Sequence, residues 1–295
     1  MLDVNQFACR HLGYTRRKLL SLNRSIINAE EYADYINGKI EEVNKDGYAI
    51  YETVHIKSDG KRIPVEINSK KINYNGKPAI LSIARDITER KLAEDSLKQS
   101  IEVLQKTMEG TINVIAKIVE TRDPYTAGHQ NRVAKLACAI AKAMGLSEEQ
   151  TSKIHIASVI HDLGKIYVPA EILAKPGKLT DVEFNIIKTH PQIGYDILST
   201  IEFPAPIALI VLQHHERING TGYPSGLKGD EIVLEARILG VADVVEAMSS
   251  HRPYRAVLGV DKALEEIYQN RDILYDSDVV DLCINVFKNK NFSFD

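Results

Sequence analysis

The sequence predicts a multidomain chain: an α+β module, a helical connector and an all-α domain. Three observations predict it. The first ninety residues mix helix-spaced segments with alternating apolar and polar ones, separated by Asp-Gly and Asn-Gly turns. From Leu97 apolar residues recur by fours and threes. From residue 111 onward nearly every segment carries helical spacing. A length of 295 residues agrees with two domains. Hydrophobic content of 44% and charged content of 26% are ordinary for a globular chain. A net charge of -3 gives no basis for binding a nucleic-acid polymer, and no apolar run approaches the roughly 18 residues of a membrane span. Cys9, Cys138 and Cys283 are isolated and odd in number, which argues against a disulfide framework. Residues Met1 to Tyr14 lack the basic-then-apolar order of a secretory signal, so a cytoplasmic location is expected.

In the first module, Asn5 to Leu20 reads as a helix with Phe7, Leu12, Leu19 and Leu20 as anchors. A middle helix is expected over Glu31 to Val43. Tyr48 to His55 alternates as a half-buried strand does, and Ser58-Asp59-Gly60 signals a hairpin. Arg62 to Asn68 alternates again. Asn75-Gly76 marks a second hairpin, followed by a strand over Ala79 to Ile83. The segments Asp3-Val4-Asn5, Leu12-Gly13-Tyr14-Thr15, Lys57-Ser58-Asp59-Gly60 and Arg85-Asp86-Ile87-Thr88-Glu89-Arg90-Lys91 resemble a PAS domain, taken here as residues 1–89. The resemblance implies a sensor whose closing Asp-Ile-Thr run couples its last strand to an output helix. The strand that usually precedes the Asp-x-Asn segment is not seen in the sequence. His11 and His55 are read as structural or solvated, because neither falls in the middle helix, where haem-binding PAS domains carry their ligand.

The connector, residues 90–110, leads into Leu97, Ile101, Leu104, Met108, Thr111, Ile115 and Ile118, spaced 4, 3, 4, 3, 4, 3. Three heptads of this kind predict a parallel coiled coil and a homodimer formed through residues 97–118. Thr111 is its weak seam position, and Gly110 loosens the helix where the next domain begins.

Helices are predicted over 111–121, 129–144, 148–163, 181–199, 205–216, 233–249, 260–269 and 277–288. Ser147 to Gln150 and Thr180 to Glu183 match capping boxes, and Gly145 and Gly164 are placed to stop a helix. Onto these helices the chain sets ionisable residues. His161, Asp162 and Lys165 close a segment whose Ile154, Ala157 and Ile160 are fit for a core. His129, His190, the pair His214-His215 and Asp243 sit likewise at helix ends or in apolar runs. Buried ionisable groups are costly unless paired or bound to metal. Five histidines and two aspartates can fill two six-coordinate metal sites if one carboxylate bridges and water completes the shells. His155 and His251 are read as structural or solvated.

The text Asp123-Pro124-Tyr125-Thr126-Ala127-Gly128-His129, His161-Asp162-Leu163-Gly164-Lys165, His190-Pro191, His214-His215-Glu216-Arg217, Gly220-Thr221-Gly222-Tyr223-Pro224, Ala242-Asp243 and Arg252-Pro253-Tyr254-Arg255 resembles the HD-GYP family of HD-type phosphohydrolases, over residues 111–295. The resemblance implies hydrolysis of cyclic di-GMP to pGpG at a site of divalent metals, with iron or manganese favoured and zinc allowed. By match, His129, His161, Asp162, Asp243, His190, His214 and His215 are the ligands, with Asp162 as bridge. Lys165 lies near the scissile phosphate. Arg252 and Arg255 contact substrate phosphates, and Gly222, Tyr223 and Pro224 shape the cleft. Three-metal members carry a glutamate where this chain has Tyr125, so two metals are expected. Two other functions stay open: hydrolysis of another cyclic dinucleotide such as 3′,3′-cyclic GMP-AMP, and a non-catalytic module docking onto diguanylate cyclases.

Overall fold

The computed structural model describes residues 1–122, 128–201, 203, 206–250, 259–289 and 292–294, the side chain of Arg24 apart. The chain divides into two compact units, residues 1–105 and 106–295.

In the first unit, α1 spans Gln6–Leu12 and α2 spans Arg16–Ser21. The single helix expected over Asn5 to Leu20 is therefore two. Gly13 adopts φ 74°, a left-handed conformation that ends α1, and the Thr15 side chain caps α2 by accepting from Lys18 N. Two 3-10 turns, Arg24–Ile27 and Glu30–Tyr32, lead to α3 at Ala33–Asp46. The sheet is an antiparallel meander of β1 Tyr48–Ile56, β2 Arg62–Tyr74 and β3 Lys77–Asp86, in the order β1-β2-β3. Asn75 and Gly76 both take positive φ, as a tight two-residue hairpin demands. Register places Ala49, Tyr51, Ile63, Val65 and Ile67 on one buried face, against Ile36 and Val43 of α3.

α4 runs unbroken over Thr88–Arg122. Asp86 accepts from Thr88 N at 2.8 Å, and Arg90 and Lys91 pair with Glu52, so the last strand and the start of α4 are tied together. Leu97, Ile101, Leu104 and Met108 are exposed along this helix. Beyond Thr111 the pattern departs from the expected seam. Ile112, Ile115, Ala116 and Val119 pack into the second unit's core, while Ile118 is exposed. A helix of 3.6 residues per turn lying against its own domain selects that stripe over the 3.5-residue seam.

The second unit is helical: α5 His129–Ala143, α6 Glu148–Ile160, α7 Ala170–Leu173, α8 Asp181–Ile187, α9 His190–Leu198, α10 Ile207–Gln213, α11 Leu234–Ser249, α12 Val260–Gln269 and α13 Ser277–Asn289. Both predicted capping boxes are formed, Ser147 with Gln150 and Thr180 with Glu183. Three predicted helices end sooner than expected, that over 205–216 closing at Gln213. The segment 148–163 leaves the α-helix after Ile160 and tightens into a 3-10 turn at Leu163–Tyr167. The segment 181–199 breaks after Ile187, because Pro191 has no N–H to continue a helix and is tolerated only in a first turn. Leu136 and Ile140 of α5, Ile154 of α6, Ile210 of α10, Ile238 and Leu239 of α11 and Val280 of α13 are fully buried in one core. That core holds α5, α6, α9, α10 and α11 so that the ligand-type residues converge.

Candidate metal centre

Each predicted ligand occupies a place where a helix begins or ends, save one. His129 opens α5, His161 and Asp162 follow α6, His190 opens α9, and His214 and His215 follow α10. Asp243 lies inside α11. All seven come together. His161, Asp162, His190 and His214 are each at most 2% exposed.

The helix ends also set the imidazole tautomers. His161 Nδ1 donates to the Ser158 carbonyl at 2.7 Å, His190 Nδ1 to that of Ile187 at 2.7 Å, and His214 Nδ1 to that of Val211 at 2.6 Å. A carbonyl can only accept, so in each neutral ring the proton sits on Nδ1 and Nε2 carries a lone pair. The Nε2 atoms of His190 and His214 nevertheless face each other at 3.4 Å. A cation set between them would be shared by both lone pairs. The donor set therefore fits a metal ion, and ligation through Nε2 with Nδ1 anchored is the common arrangement of metal-binding histidines.

Three groups of ligand atoms lie within 4.8 Å of one another: His129, His161 and Asp243; His161, Asp162 and His214; His190, His214 and His215. They overlap through His161 and His214, so they form one elongated cluster with Asp162 in its middle. The two Asp162 oxygens face opposite ways, Oδ1 at 3.5 Å from His190 Nε2 and Oδ2 at 3.5 Å from His161 Nε2. Lys165 Nζ donates to Oδ2 at 2.7 Å.

Charge follows the same division. Burial by itself raises the carboxyl pKa of Asp162, but Lys165 and the surrounding imidazoles hold it well below the usual carboxylate range. Asp243 is held down in the same sense by its hydrogen bond with His129, against burial. Burial pushes His190 down to about 4 and places His214 and His215 well below the ordinary imidazole value. Ionised carboxylates and neutral imidazoles are the forms that bind a cation. His129 differs. Burial opposes its protonation, but Asp243 and Glu246 outweigh that and push its pKa up to about 9. Without metal it holds a proton between two carboxylates, in the position where a cation would take that proton's place.

Two carboxylates not predicted from the sequence support the cluster. Glu246, one turn beyond Asp243, is 1% exposed, binds His129 Nδ1 and accepts from Arg132 Nε at 2.6 Å. Glu216, 5% exposed, accepts from the backbone N–H groups of Ser225, Gly226 and Leu227 at 2.7, 3.2 and 3.0 Å, and so folds the Gly-Tyr-Pro loop onto the site. In that loop the Tyr223 ring lies 4.7 Å from His215, and the Tyr223–Pro224 bond is cis. A Cβ on Gly222 would stand 2.4 Å from the Glu216 backbone, so only glycine fits. The signal for Glu246 was of the kind that singled out Asp243, an acid in an apolar run, whereas Glu216 lies among polar residues beside the histidine pair. Tyr125, Arg252, Arg255 and His251 lie outside the described residues. His155 is exposed and His55 buried in the first unit, and neither enters the cluster.

Known proteins resemble both halves of the chain. An HD domain model matches residues 113–279, and a PAS domain model matches residues 1–89. The chain is 43% identical over 190 residues to the cyclic di-GMP phosphodiesterase response regulator RpfG of Xanthomonas campestris pv. campestris, covering 64% of this chain and 50% of that protein. It is 39% identical over 206 residues to a cyclic di-GMP phosphodiesterase of Thermotoga maritima, covering 65% and 56%. It is 36% identical over 187 residues to the 3'3'-cGAMP-specific phosphodiesterase 3 of Vibrio cholerae, covering 63% and 41%. The chain thus spans about half the length of the curated relatives it matches. Among the described residues, no helix is long and apolar enough to cross a membrane. With an HD match over more than half its length and a cluster built from the ligand types of metal-dependent HD hydrolases, the chain belongs to the HD domain family, in the HD-GYP branch that its Gly-Tyr-Pro loop marks, and carries a PAS domain at residues 1–89.

Proposed function

We propose that the chain hydrolyses cyclic di-GMP to the linear dinucleotide pGpG at a two-metal site, modulated by its PAS domain. The observation that carries this is the elongated cluster with Asp162 at its centre, offering one oxygen to each half. His129, His161 and Asp243 would hold one cation, His190, His214 and His215 the other. Nitrogen and carboxylate donors suit iron or manganese, with zinc allowed. When bound, such a pair supplies charge to clamp phosphate oxygens and to lower the pKa of a water toward neutrality. Lys165, hydrogen-bonded to Asp162, would supply the ammonium that stabilises or protonates a departing ribose oxygen. Arg252 and Arg255, with their forked donors, would contact substrate phosphates. At position 125 a neutral phenol stands where three-metal members have a carboxylate, so a third cation finds little charge there. With two metals, pGpG accumulates before any GMP.

A relative named as specific for 3'3'-cGAMP supports a second substrate reading within the same chemistry. The exposed row Leu97, Ile101, Leu104 and Met108 supports a homodimer through α4. Three unpaired cysteines suit a reducing, cytoplasmic setting.

The test is a time course with cyclic di-GMP and 3'3'-cyclic GMP-AMP in parallel, in Mn²⁺ or Fe²⁺. Cyclic di-GMP should be consumed faster, with pGpG as first product, and Asp162→Ala should abolish turnover and lower bound metal. Absence of turnover of both compounds, or an Asp162→Ala variant with normal metal content and rate, overturns the proposal.

A further inference from the structure

The last turn of α4 carries a buried acid that the chemistry above leaves unused. The Glu120 side chain is 8% exposed, and its one ion-pair partner among the described residues, Lys117 at 3.3 Å, is 73% exposed. So exposed a lysine offsets little of the cost of burying a carboxylate. The other contact is more telling. Glu120 Oε1 accepts from the backbone N–H of Gly128 at 2.8 Å. Gly128 is the residue before His129 and the N-cap of α5, yet it has no side chain to cap the helix. Glu120 therefore reaches across from another helix to satisfy one of the free N–H groups at the start of α5, where its charge also suits the helix dipole. Gly128 stands at φ 72°, and a Cβ there would meet Arg132 at 2.8 Å, so a glycine suits this N-cap, and the cap must come from elsewhere.

His129 differs from its neighbours in how it is held. His161, His190 and His214 each anchor Nδ1 on a carbonyl three residues back. The partner of His129 Nδ1 among the described residues is a side chain instead, that of Glu246. Its ring is held by Glu246 of α11, and the backbone just ahead of it by Glu120 of α4. We propose that Glu120 is a positioning residue which fixes the backbone of His129 and so makes the His129–His161–Asp243 half of the cluster depend on the placement of α4. The inference rests on the metal-site reading above. The same helix begins at the PAS domain's last strand, so a displacement of α4 acts on this half of the site first, and leaves the His190–His214–His215 half in place.

The experiment is calorimetric titration of the metal-stripped full chain with Mn²⁺, for the wild type, Glu120→Ala and Glu120→Gln, alongside thermal unfolding of each. Glu120→Ala should weaken one of two sites by on the order of 10- to 100-fold, the size of effect that outer partners of metal ligands commonly have, and leave the other unchanged. Glu120→Gln keeps an oxygen that can accept from Gly128 N–H, and should stay within about threefold of the wild type. Should Glu120→Ala fail to fold, Glu120→Asp, one methylene too short to reach, takes its place with the same expectation. Wild-type affinity at both sites in Glu120→Ala overturns the inference, as does equal weakening of both sites or a glutamine variant as weak as alanine. A wild-type chain that binds no Mn²⁺ overturns the metal reading itself, whereas two-site binding untouched by Glu120→Ala overturns this inference alone.

Discussion

At the scale of single residues, the centre is decided by where protons sit. Three backbone carbonyls hold protons on Nδ1 of His161, His190 and His214, which leaves three Nε2 lone pairs aimed at one space. Glu246 does for His129 what a carbonyl does for the others, with the added weight of a charge that Arg132 stabilises. Glu246→Ala should free the His129 ring to rotate and lower metal affinity by roughly 10- to 100-fold, read as metal retained after dialysis. Full retention would show that Asp243 alone is enough to orient the ring. Lys165 is expected to act on the substrate. Lys165→Ala should keep its metal and lose about 2 to 4 orders of magnitude in rate if the ammonium serves as the acid. Loss of metal together with rate would instead make Lys165 a structural counter-charge for Asp162.

At the scale of elements, the site depends on helices that approach backbone to backbone. The turn after α6 meets the start of α9 at Gly164, where an added Cβ would stand 2.0 Å from the His190 carbonyl. No rotamer relieves such a contact, so the two elements would have to part. Gly164→Ala is expected to cost about 1 to 3 kcal/mol, as overpacking does, and to shift His190 out of the cluster. Thermal unfolding and metal content together check this, and a variant normal in both would refute it. Along α4 the expectation concerns association. Ile101→Glu places like charges in the proposed seam and should lower the mass seen by light scattering from dimer to monomer. An unchanged mass would mean that the exposed row is not an interface.

At the scale of the whole molecule, the two units answer to different variables. The second carries the cluster of metal-ligand residues; the first carries a buried histidine. His55 is 7% exposed, its Nδ1 has no partner among the described residues, and burial, with His11 nearby, pushes its pKa down to about 4. An imidazole with a folded pKa below its unfolded value of about 6.5 takes up a proton on unfolding. The resulting stability is fully present above about pH 6.5 and is lost as pH falls toward 4. By pH 5 the loss is about 2 kcal/mol. The unfolding transition of the first unit within the full chain should fall between pH 7 and pH 5, and His55→Leu should flatten that dependence. A parallel fall in the leucine variant would assign it to other groups.

Much of this was readable in the sequence, for a physical reason. Histidines and aspartates at the ends of apolar segments advertise themselves, because burying them unpaired is costly. Alternation and the Asp-Gly and Asn-Gly turns marked the three strands, and the capping boxes marked two helix starts. Local breaks were present as letters but were overridden by longer patterns: Gly13 within a helical run, Pro191 within another. What the letters could not carry was which residues meet. The bond from His129 to Glu246 joins positions 117 residues apart, and that from Gly128 to Glu120 crosses between two helices. The letters carry the inventory: two domains of different class, a long helix between them, and seven ligand-type residues that had to be buried somewhere. Packing sets the grouping of those residues, the tautomer of each ring, and the carboxylates that steady them. Such choices depend on distances of 2 to 4 Å between helix ends, which are set by packing in the core.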